Sequence, residues 1–478
     1  MFESETDNCT DTEIDSDTET DTHSLQADAV NSSGSELSTA DRPPGPRGLP
    51  LIGSTLSIAR DPFSFVELAR EYGDIVSYRA YGTEFALVFD PHVVETVLVS
   101  RSDEFRKGEF ETAFGELVAP EGIAFTEDSQ WRRQRKLLQS SFTPDHVRAA
   151  ADEIVAEANA FVDDWDDGER VALRDTMSTY TLRILTRTLF DLPLEDDRAT
   201  IVRRAANAVN TYASPKRLAL GSILPSWLPD RVEHEYEDAM TDLETLTTEL
   251  VETRRSADST GEDLLSILAR AVYPDGSRLS PETVRDQLVT FLFAGHETTA
   301  TTLAIACWLL ADNPQVHAEL ERELAAVCGD RKPDAGDLAS LDYTEAVLRE
   351  SMRLYPPITG IYREPPTDTA LAGFRISSGT TLQLSVYGIH RDDRWWADPE
   401  AFCPERWLVD ADRPEYAYFP FGGGPRHCLG MRFAMVELQL ALASIMRRVE
   451  FECVTPTLEP SLGVTLDPGS VETRVRKR

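Results

Sequence analysis

The chain is poor in lysine. Of its 47 basic residues only Lys107, Lys136, Lys216, Lys332 and Lys477 are lysine. Positive charge of any kind is scarce, because 83 acids outnumber it and leave a formal net charge of −36. Such a chain repels a phosphate backbone, which excludes a nucleic-acid binder. An anionic membrane surface is disfavoured for the same reason. Cysteine is also sparse. The six are Cys9, Cys307, Cys328, Cys403, Cys428 and Cys453, with no Cys-x-x-Cys pair. That spacing suggests neither a zinc site nor a disulfide framework, and it fits a reducing cytoplasm. The N-terminus has no basic region followed by an apolar stretch, so no signal peptide is expected. A Gly-x-Gly-x-x-Gly nucleotide loop after a strand is missing as well.

What is present divides the chain. Residues 1–41 hold twelve acids and no lysine or arginine, with Thr and Ser filling most gaps. Such a segment buries too little apolar surface to offset its ordering entropy, so a disordered acidic tail is expected. The remainder, residues 42–478, is still strongly acidic. Its composition resembles that of proteins from salt-loving microbes, whose hydrated carboxylates suit high salt. Residues 42–50 form a Pro-rich linker. After it, Asp61-Pro62 opens a helix, residues 75–89 read as a hairpin turning near Gly82, and residues 380–386 read as a strand. Residues 130–350 are dominated by helical periodicity. No internal repeat or second linker interrupts them, so the expectation is one mainly α domain with small β-sheets.

Residues 288–311 are almost continuously apolar and have the length of a membrane span. They also carry His296, Glu297 and several threonines, which are costly in a bilayer. The stretch therefore reads as a long helix through a protein core. Ser280 is its N-cap, Pro281 its first residue, and Asn313-Pro314 its stop, about 48 Å at 1.5 Å per residue.

The segment Phe421-Gly422-Gly423-Gly424-Pro425-Arg426-His427-Cys428-Leu429-Gly430 carries the strongest chemical signal. It presents one cysteine on a tight loop before an apolar helix, where backbone amides and the helix dipole stabilise a thiolate. The glycines allow close approach to a flat ligand. By itself, a lone cysteine on such a turn is more often a buried structural residue.

This loop resembles the haem-binding loop of the cytochrome P-450 family, Phe-x-x-Gly-x-Arg-x-Cys-x-Gly, at every fixed position. The resemblance implies that Cys428 is the axial thiolate ligand of haem iron, in haem b (iron protoporphyrin IX). Three further motifs follow the family's order. Ala294-Gly295-His296-Glu297-Thr298-Thr299 resembles the oxygen-activating stretch of the long helix, with Glu297 and Thr298 as the catalytic pair. Gly295 is expected to permit a local bulge there. Glu350-Ser351-Met352-Arg353 resembles the Glu-x-x-Arg helix, opening near Asp342 with Glu345 as a capping-box partner. Arg406 completes its buried network, next to Trp407 where the family usually has Phe. Trp131 and Arg135, one helical turn apart, join Arg363 and Arg426 as donors to haem carboxylates. Phe421, Gly424, Gly430 and Ala294 complete the implied cofactor contacts.

The implied fold is the family's mainly helical domain, with haem between the long helix and the helix after Cys428. The implied enzyme is a haem-thiolate monooxygenase acting with dioxygen on a small hydrophobic substrate, lipid-like, fatty acyl or terpenoid. Residues 110–124, 210–228, 291–294 and 358–359 are expected to line its pocket. Electrons are expected from a separate ferredoxin or flavodoxin-like donor with its reductase, docking at Arg132, Arg133 and Lys136. The chain reads as a cytoplasmic monomer with no membrane span. The alternatives are a peroxide-using or lipid-rearranging haem-thiolate enzyme and a non-catalytic haem-thiolate sensor.

Overall fold

The computed structural model describes residues 41–192, 196–223, 230–256, 263–273 and 276–478. The expected acidic tail lies outside the described residues except for Asp41. The backbone carbonyl of Asp41 accepts a hydrogen bond from Arg375 N at 3.0 Å.

Helix α1 (Pro62–Arg70) is capped by the Asp61 side chain, which accepts from Phe63 N and Ser64 N. Strands β1 (Ile75–Ala80) and β2 (Thr83–Val88) form the expected hairpin. Tyr81 and Gly82, at φ 53° and 83°, make its two-residue turn. Helices α2 (Gly108–Val118), α3 (Asp128–Leu138), α4 (Ala151–Asp164), α5 (Leu173–Phe190) and α6 (Asp196–Tyr212) follow.

Helix α7 (Pro281–Asp312) spans 32 residues, and Ser280 Oγ accepts from Thr283 N as its cap. Both ends fall where the Ser-Pro and Asn-Pro pairs place them. Nearly all of its second half is buried, so it forms the axis of the largest apolar cluster. The expected bulge at Gly295 does not form, since α7 is α-helical throughout. The glycine serves packing instead: a Cβ there would sit 2.7 Å from Leu185 Cδ1 of α5.

Helices α8 (Pro314–Val327) and α9 (Asp342–Leu354) come next. The capping box expected at Asp342 and Glu345 is also absent. No side chain of α9 caps its own start. Glu323 of α8 accepts from Tyr343 N at 2.5 Å and Thr344 N at 2.9 Å, so the cap comes from a neighbouring helix. Strands β3 (Gly360–Arg363) and β4 (Thr381–Ser385) complete a four-stranded sheet in the order β1-β2-β4-β3, with β2 and β4 parallel. Helix α10 (Met431–Met446) follows the Cys428 loop, and the short hairpin of β5 (Ser461–Leu462) and β6 (Leu466–Asp467) closes over α6. The architecture is mainly helical with small sheets, as expected from the periodicity.

Buried in α10 is Glu437, which the sequence reading passed over. Its side chain is fully inaccessible, and neither carboxyl oxygen has a hydrogen-bond partner among the described residues. Burial pushes its pKa well above the usual 4.5. The folded state therefore holds this proton more tightly than the unfolded chain. That contribution is complete below about pH 4.5 and is lost as the pH rises through the folded value. Glu437→Gln is expected to stabilise the protein at pH 8 by about 1–3 kcal/mol, with a smaller gain at pH 5. Urea unfolding at the two pH values checks the sign.

Candidate active site

A cavity of 470 Å³ lies between α7 and the Cys428 loop. Its wall is mostly apolar, with Phe114, Val118, Phe291, Phe293, Ile358 and Ile361 among the lining residues. Cys428 opens into it from the loop that enters α10. The sulfur is exposed to this cavity and enclosed by protein elsewhere. Desolvation raises the thiol pKa, while the backbone amides of Gly430 and Met431 and the charge of Arg135 oppose the rise. Those two amides lie at the start of α10, as expected for a thiolate at a helix N-terminus.

Four of the expected donors gather at the cavity. Trp131 and Arg135 line it from α3, Arg363 from the end of β3, and Arg426 from the loop. The Arg426 guanidinium lies 4.5 Å over the Trp131 ring and donates to Thr126 O at 2.9 Å. Arg135 donates to His427 O at 2.9 Å and approaches the His427 ring at 3.1 Å. Lys107, which the motif comparison did not single out, joins them from the residue before α2. It is buried, lines the cavity and pairs with Glu111 at 3.0 Å. Arg363 is 3.7 Å from the same carboxylate. Burial first, then Arg363, depresses Arg426 to about 10. Burial also lowers Lys107, and both arginines lower it further. Two buried cations, Lys107 and Arg363, thus share one lining carboxylate with the half-buried Arg426 nearby, a stretch of the wall that awaits negative charge.

On the opposite wall, α7 presents Ala294, Glu297 and Thr298 to the cavity. Thr298 Oγ1 donates to Ala294 O at 2.9 Å. Asn210 Nδ2 of α6 donates to Glu297 Oε1 at 2.6 Å. Burial raises Glu297 to about 7 against the opposing pull of Arg174 and Asn210. A carboxyl poised there both holds and releases a proton near neutrality. His296 faces away from the cavity. It is buried, its Nδ1 touches Leu292 O, and desolvation lowers it to about 4, so it stays neutral and distant from Cys428's cavity.

Among the loop glycines, Gly422, Gly423 and Gly430 line the cavity, and Gly424 departs from expectation. Gly424 does not line the cavity. Its φ is +61°, and a Cβ would sit 1.8 Å from Leu98 O, so it is there for the protein's own backbone. At Gly423 a Cβ would strike the Tyr416 ring at 2.4 Å. Gly430 lines the cavity, yet its nearest neighbour to such a Cβ is Phe142 at a comfortable 3.7 Å. Of the expected lining segments, each contributes: Glu111, Phe114, Val118, Ile123 and Ala124 from the first, Asn210 from the second, Phe291, Phe293 and Ala294 from the third, and Ile358 from the last. Residues 224–228 of the second lie outside the described residues.

The sequence model of the family described as "Cytochrome P450" matches residues 43–472. The chain belongs to the cytochrome P450 family. A "Cyclooctat-9-en-7-ol 5-monooxygenase" of Streptomyces melanosporofaciens is 32% identical over 406 residues, covering 84% of this chain and 88% of the relative. A "Pentalenene oxygenase" of Streptomyces avermitilis is 29% identical, covering 91% of this chain and 97% of the relative. Among solved structures, "Retinoic acid bound cyanobacterial CYP120A1" superposes with a TM-score of 0.82 at 23% identity, over 92% of this chain and 100% of that one. That likeness concerns the fold.

Membership of the P450 family implies haem as the cofactor, and the site fits it. A soft sulfur ligand opens into an apolar cavity, and lining cations outnumber lining carboxylates where the two propionates of haem require donors. Cys428 would hold the iron. Arg363, Arg426 and Trp131, with Lys107 beside them, would hold the carboxylates. Among the described residues, no helix is long and apolar enough to cross a membrane.

Proposed function

We propose that this P450 monooxygenase inserts one atom of dioxygen into a hydrophobic, terpenoid-like substrate, with electrons from a separate donor protein. The observation that carries the reading is the cavity itself: apolar over most of its wall, open to Cys428 on one side and to the Glu297–Thr298 pair on the other. Relatives named for pentalenene and cyclooctatin chemistry support the terpenoid choice over a fatty acyl one. The overall reaction consumes two electrons and two protons, places one oxygen atom in the substrate and releases the other as water. Bound haem supplies dioxygen activation.

The protein's own residues do the rest. The phenylalanines and aliphatic residues exclude water and hold an apolar substrate. Glu297 holds a proton at its carboxyl near neutral pH, and Thr298 offers a hydroxyl beside it on the same helix. Both line the cavity, so protons reach it through these groups without crossing bulk solvent. Steady-state product formation from terpenoid alcohols and hydrocarbons tests the reading. Turnover is expected to require both dioxygen and reductant. Turnover with peroxide alone would favour the peroxide-using alternative, and ligand binding without product would favour a sensor. A cytoplasmic location belongs to the same proposal.

The donor is proposed to dock where α3 exposes Arg132 and Lys136, close in sequence to Arg135 at the cavity. Arg133, expected in the same patch, lies 4.7 Å over the Tyr273 ring and is engaged there. The double change Arg132→Glu, Lys136→Glu is expected to slow reduction by an acidic ferredoxin about tenfold at low salt. The difference should shrink as ionic strength rises. Stopped-flow reduction rates at two salt concentrations check it.

A further inference from the structure

Two long segments of this acidic chain hold no acid. Residues 42–60 carry Arg42, Arg47 and Arg60, and residues 198–223 carry five lysines and arginines. Both gaps are long for a chain with 83 acids in 478 residues. The fold brings them together, because the helix Thr55–Arg60 packs on the helix Pro215–Ile223. Their surface is also apolar. Leu51 is 89% exposed, Leu49 55%, Leu220 54% and Leu56 45%. Leu51 stands in a tight turn, where Leu49 N donates to Gly53 O and Gly53 N to Leu49 O, both at 2.9 Å. Its φ is +72°, a left-handed conformation that a bulky side chain rarely adopts. Large exposed leucines on neighbouring elements mark an interaction surface.

The same segments hold cations that lack acids. Arg42, Arg47, Arg60 and Lys216 are exposed, and none has an ion-pair partner among the described residues. Arg198, Arg204 and Arg217 are paired, with Glu249, Asp242 and Asp230. The acids beside the free cations are engaged elsewhere. Asp61, next to Arg60, accepts from Ser64 Oγ at 2.7 Å. Asp368, which feels Arg42, accepts from Arg375 at 2.6 Å and Ser378 N at 2.9 Å. The chain itself supplies a counterpart. Residues 3–21 carry nine acids, and residues 1–41 hold no lysine or arginine. Phe2, Ile14, Leu25, Val30 and Leu37 are spaced along the same stretch. It joins the described residues at Asp41, whose carbonyl is held by Arg375 N, one residue before the acid-free segment. A coil of that length has an r.m.s. span of about 32–38 Å, which brings the patch within reach. Such tethering gives an effective concentration on the order of millimolar.

We propose that the acidic N-terminal segment, residues 3–37, seats on this patch as an intramolecular strap. Its acids meet Arg42, Arg47, Arg60 and Lys216, and its few large apolar residues cover the exposed leucines. A strap there bears on the cavity. The helix Pro215–Ile223 begins just after α6, and α6 lines the cavity with Ala206, Val209 and Asn210. Seating therefore braces that wall and slows the exchange of ligands. Attraction between exposed charges is screened, with a Debye length of about 10 Å at 0.1 M salt and about 3 Å at 1 M, so salt loosens the strap. A lipid surface is a poorer occupant, because the acidic remainder of the chain repels anionic headgroups. A second copy is poorer too, since it would set these cations against their own duplicates.

The test uses the full-chain holoenzyme and its own reactive groups. Cys9 lies in the acidic segment, Lys216 lies on the patch, and Lys136, Lys332 and Lys477 are exposed elsewhere. A short maleimide–succinimidyl ester reagent joins Cys9 to the lysines it meets, and mass spectrometry of the digest identifies them, with Cys9→Ser as the control. At low salt the Cys9–Lys216 product is expected to exceed those with Lys332 and Lys477 at least about threefold, and to lose that excess at 1 M salt. Replacing the nine acids of residues 3–21 by their amides is expected to remove the excess. Leu51→Asp should do the same without disturbing the core, since Leu51 is exposed. The amide variant is also expected to bind 4-phenylimidazole at haem iron about threefold faster than the parent at low salt, and equally fast at high salt. An even spread over the exposed lysines overturns the strap. A preference for Lys136 overturns it as well, by placing the segment on the donor's docking face. Products joining differently isotope-labelled chains would assign the patch to a second copy. Loss of the Lys216 product on adding phosphatidylcholine–phosphatidylglycerol vesicles, with the enzyme in the pellet, would assign it to a lipid surface. Either result overturns the strap, and an unchanged on-rate in the amide variant overturns the bracing of the cavity wall.

Discussion

Cys428→Ser is expected to reduce monooxygenase turnover to background and to abolish the red-shifted Soret band of the ferrous–carbonyl form. Serine matches the shape of cysteine but offers a hard, poorly ionised oxygen in place of a soft thiolate. The loop should survive the change. Its shape depends on backbone features: Cys428 N donates to Phe421 O at 2.9 Å, Gly422 and Gly424 take positive φ, and Gly424 packs on Leu98 O. No other cysteine can substitute, because among the described residues Cys307, Cys328, Cys403 and Cys453 do not line the cavity. Arg363, Arg426 and Lys107 remain in place to hold the carboxylates. Haem should therefore still bind, with an altered spectrum. Retention of the thiolate band in Cys428→Ser would refute the ligand assignment.

The parts of this site that were readable in advance are those encoded by neighbours in the chain. Ser280-Pro281 and Asn313-Pro314 bound α7 to the residue because caps and proline act within one turn. The Tyr81-Gly82 turn and the spacing of Trp131 and Arg135 are local in the same sense. The misreadings all involve a partner from far along the chain. Gly295 looked like a place for the helix to open, but it accommodates Leu185. Gly424 looked like a contact for a flat ligand, but it accommodates Leu98. A glycine announces that something comes close and does not say what. The start of α9 borrows its cap from Glu323, which no inspection of Asp342 and Glu345 reveals. Lys107 and Asn210 were overlooked as individual residues for the same reason. Lys107 matters because two distant segments bring Arg363 and Arg426 beside it and its local partner Glu111, and Asn210 because the fold sets it against Glu297 and Thr465. A rare lysine on an arginine-rich chain was the one local signal for Lys107.

The second large effect is expected on folding. Glu350 and Arg353 are completely buried, one turn apart on α9. The Glu350 carboxylate accepts from Arg353 Nε at 2.9 Å and from its second nitrogen at 2.8 Å. It also accepts from Arg406 Nε at 2.9 Å, Trp407 Nε1 at 2.9 Å and Cys403 N at 3.1 Å. Trp407 thus offers a donor that phenylalanine lacks. Arg353 in turn donates to the carbonyls of His390, Pro399 and Ala401, binding the segment after β4 to the helix. Glu350→Ala would leave two guanidinium groups without their anion, one of them wholly inaccessible to water. Removing one partner of such a buried pair costs about 3–5 kcal/mol, a large share of the roughly 5–15 kcal/mol that stabilises a typical fold. Trp407→Phe removes one donor of five and leaves the ion pairs intact, so its cost should stay near that of one charged hydrogen bond, about 1.5–3 kcal/mol. The two variants therefore separate in urea unfolding, with Glu350→Ala well below Trp407→Phe in midpoint and in yield of haem-loaded protein. Equal midpoints would mean that the network contributes nothing beyond its single hydrogen bonds.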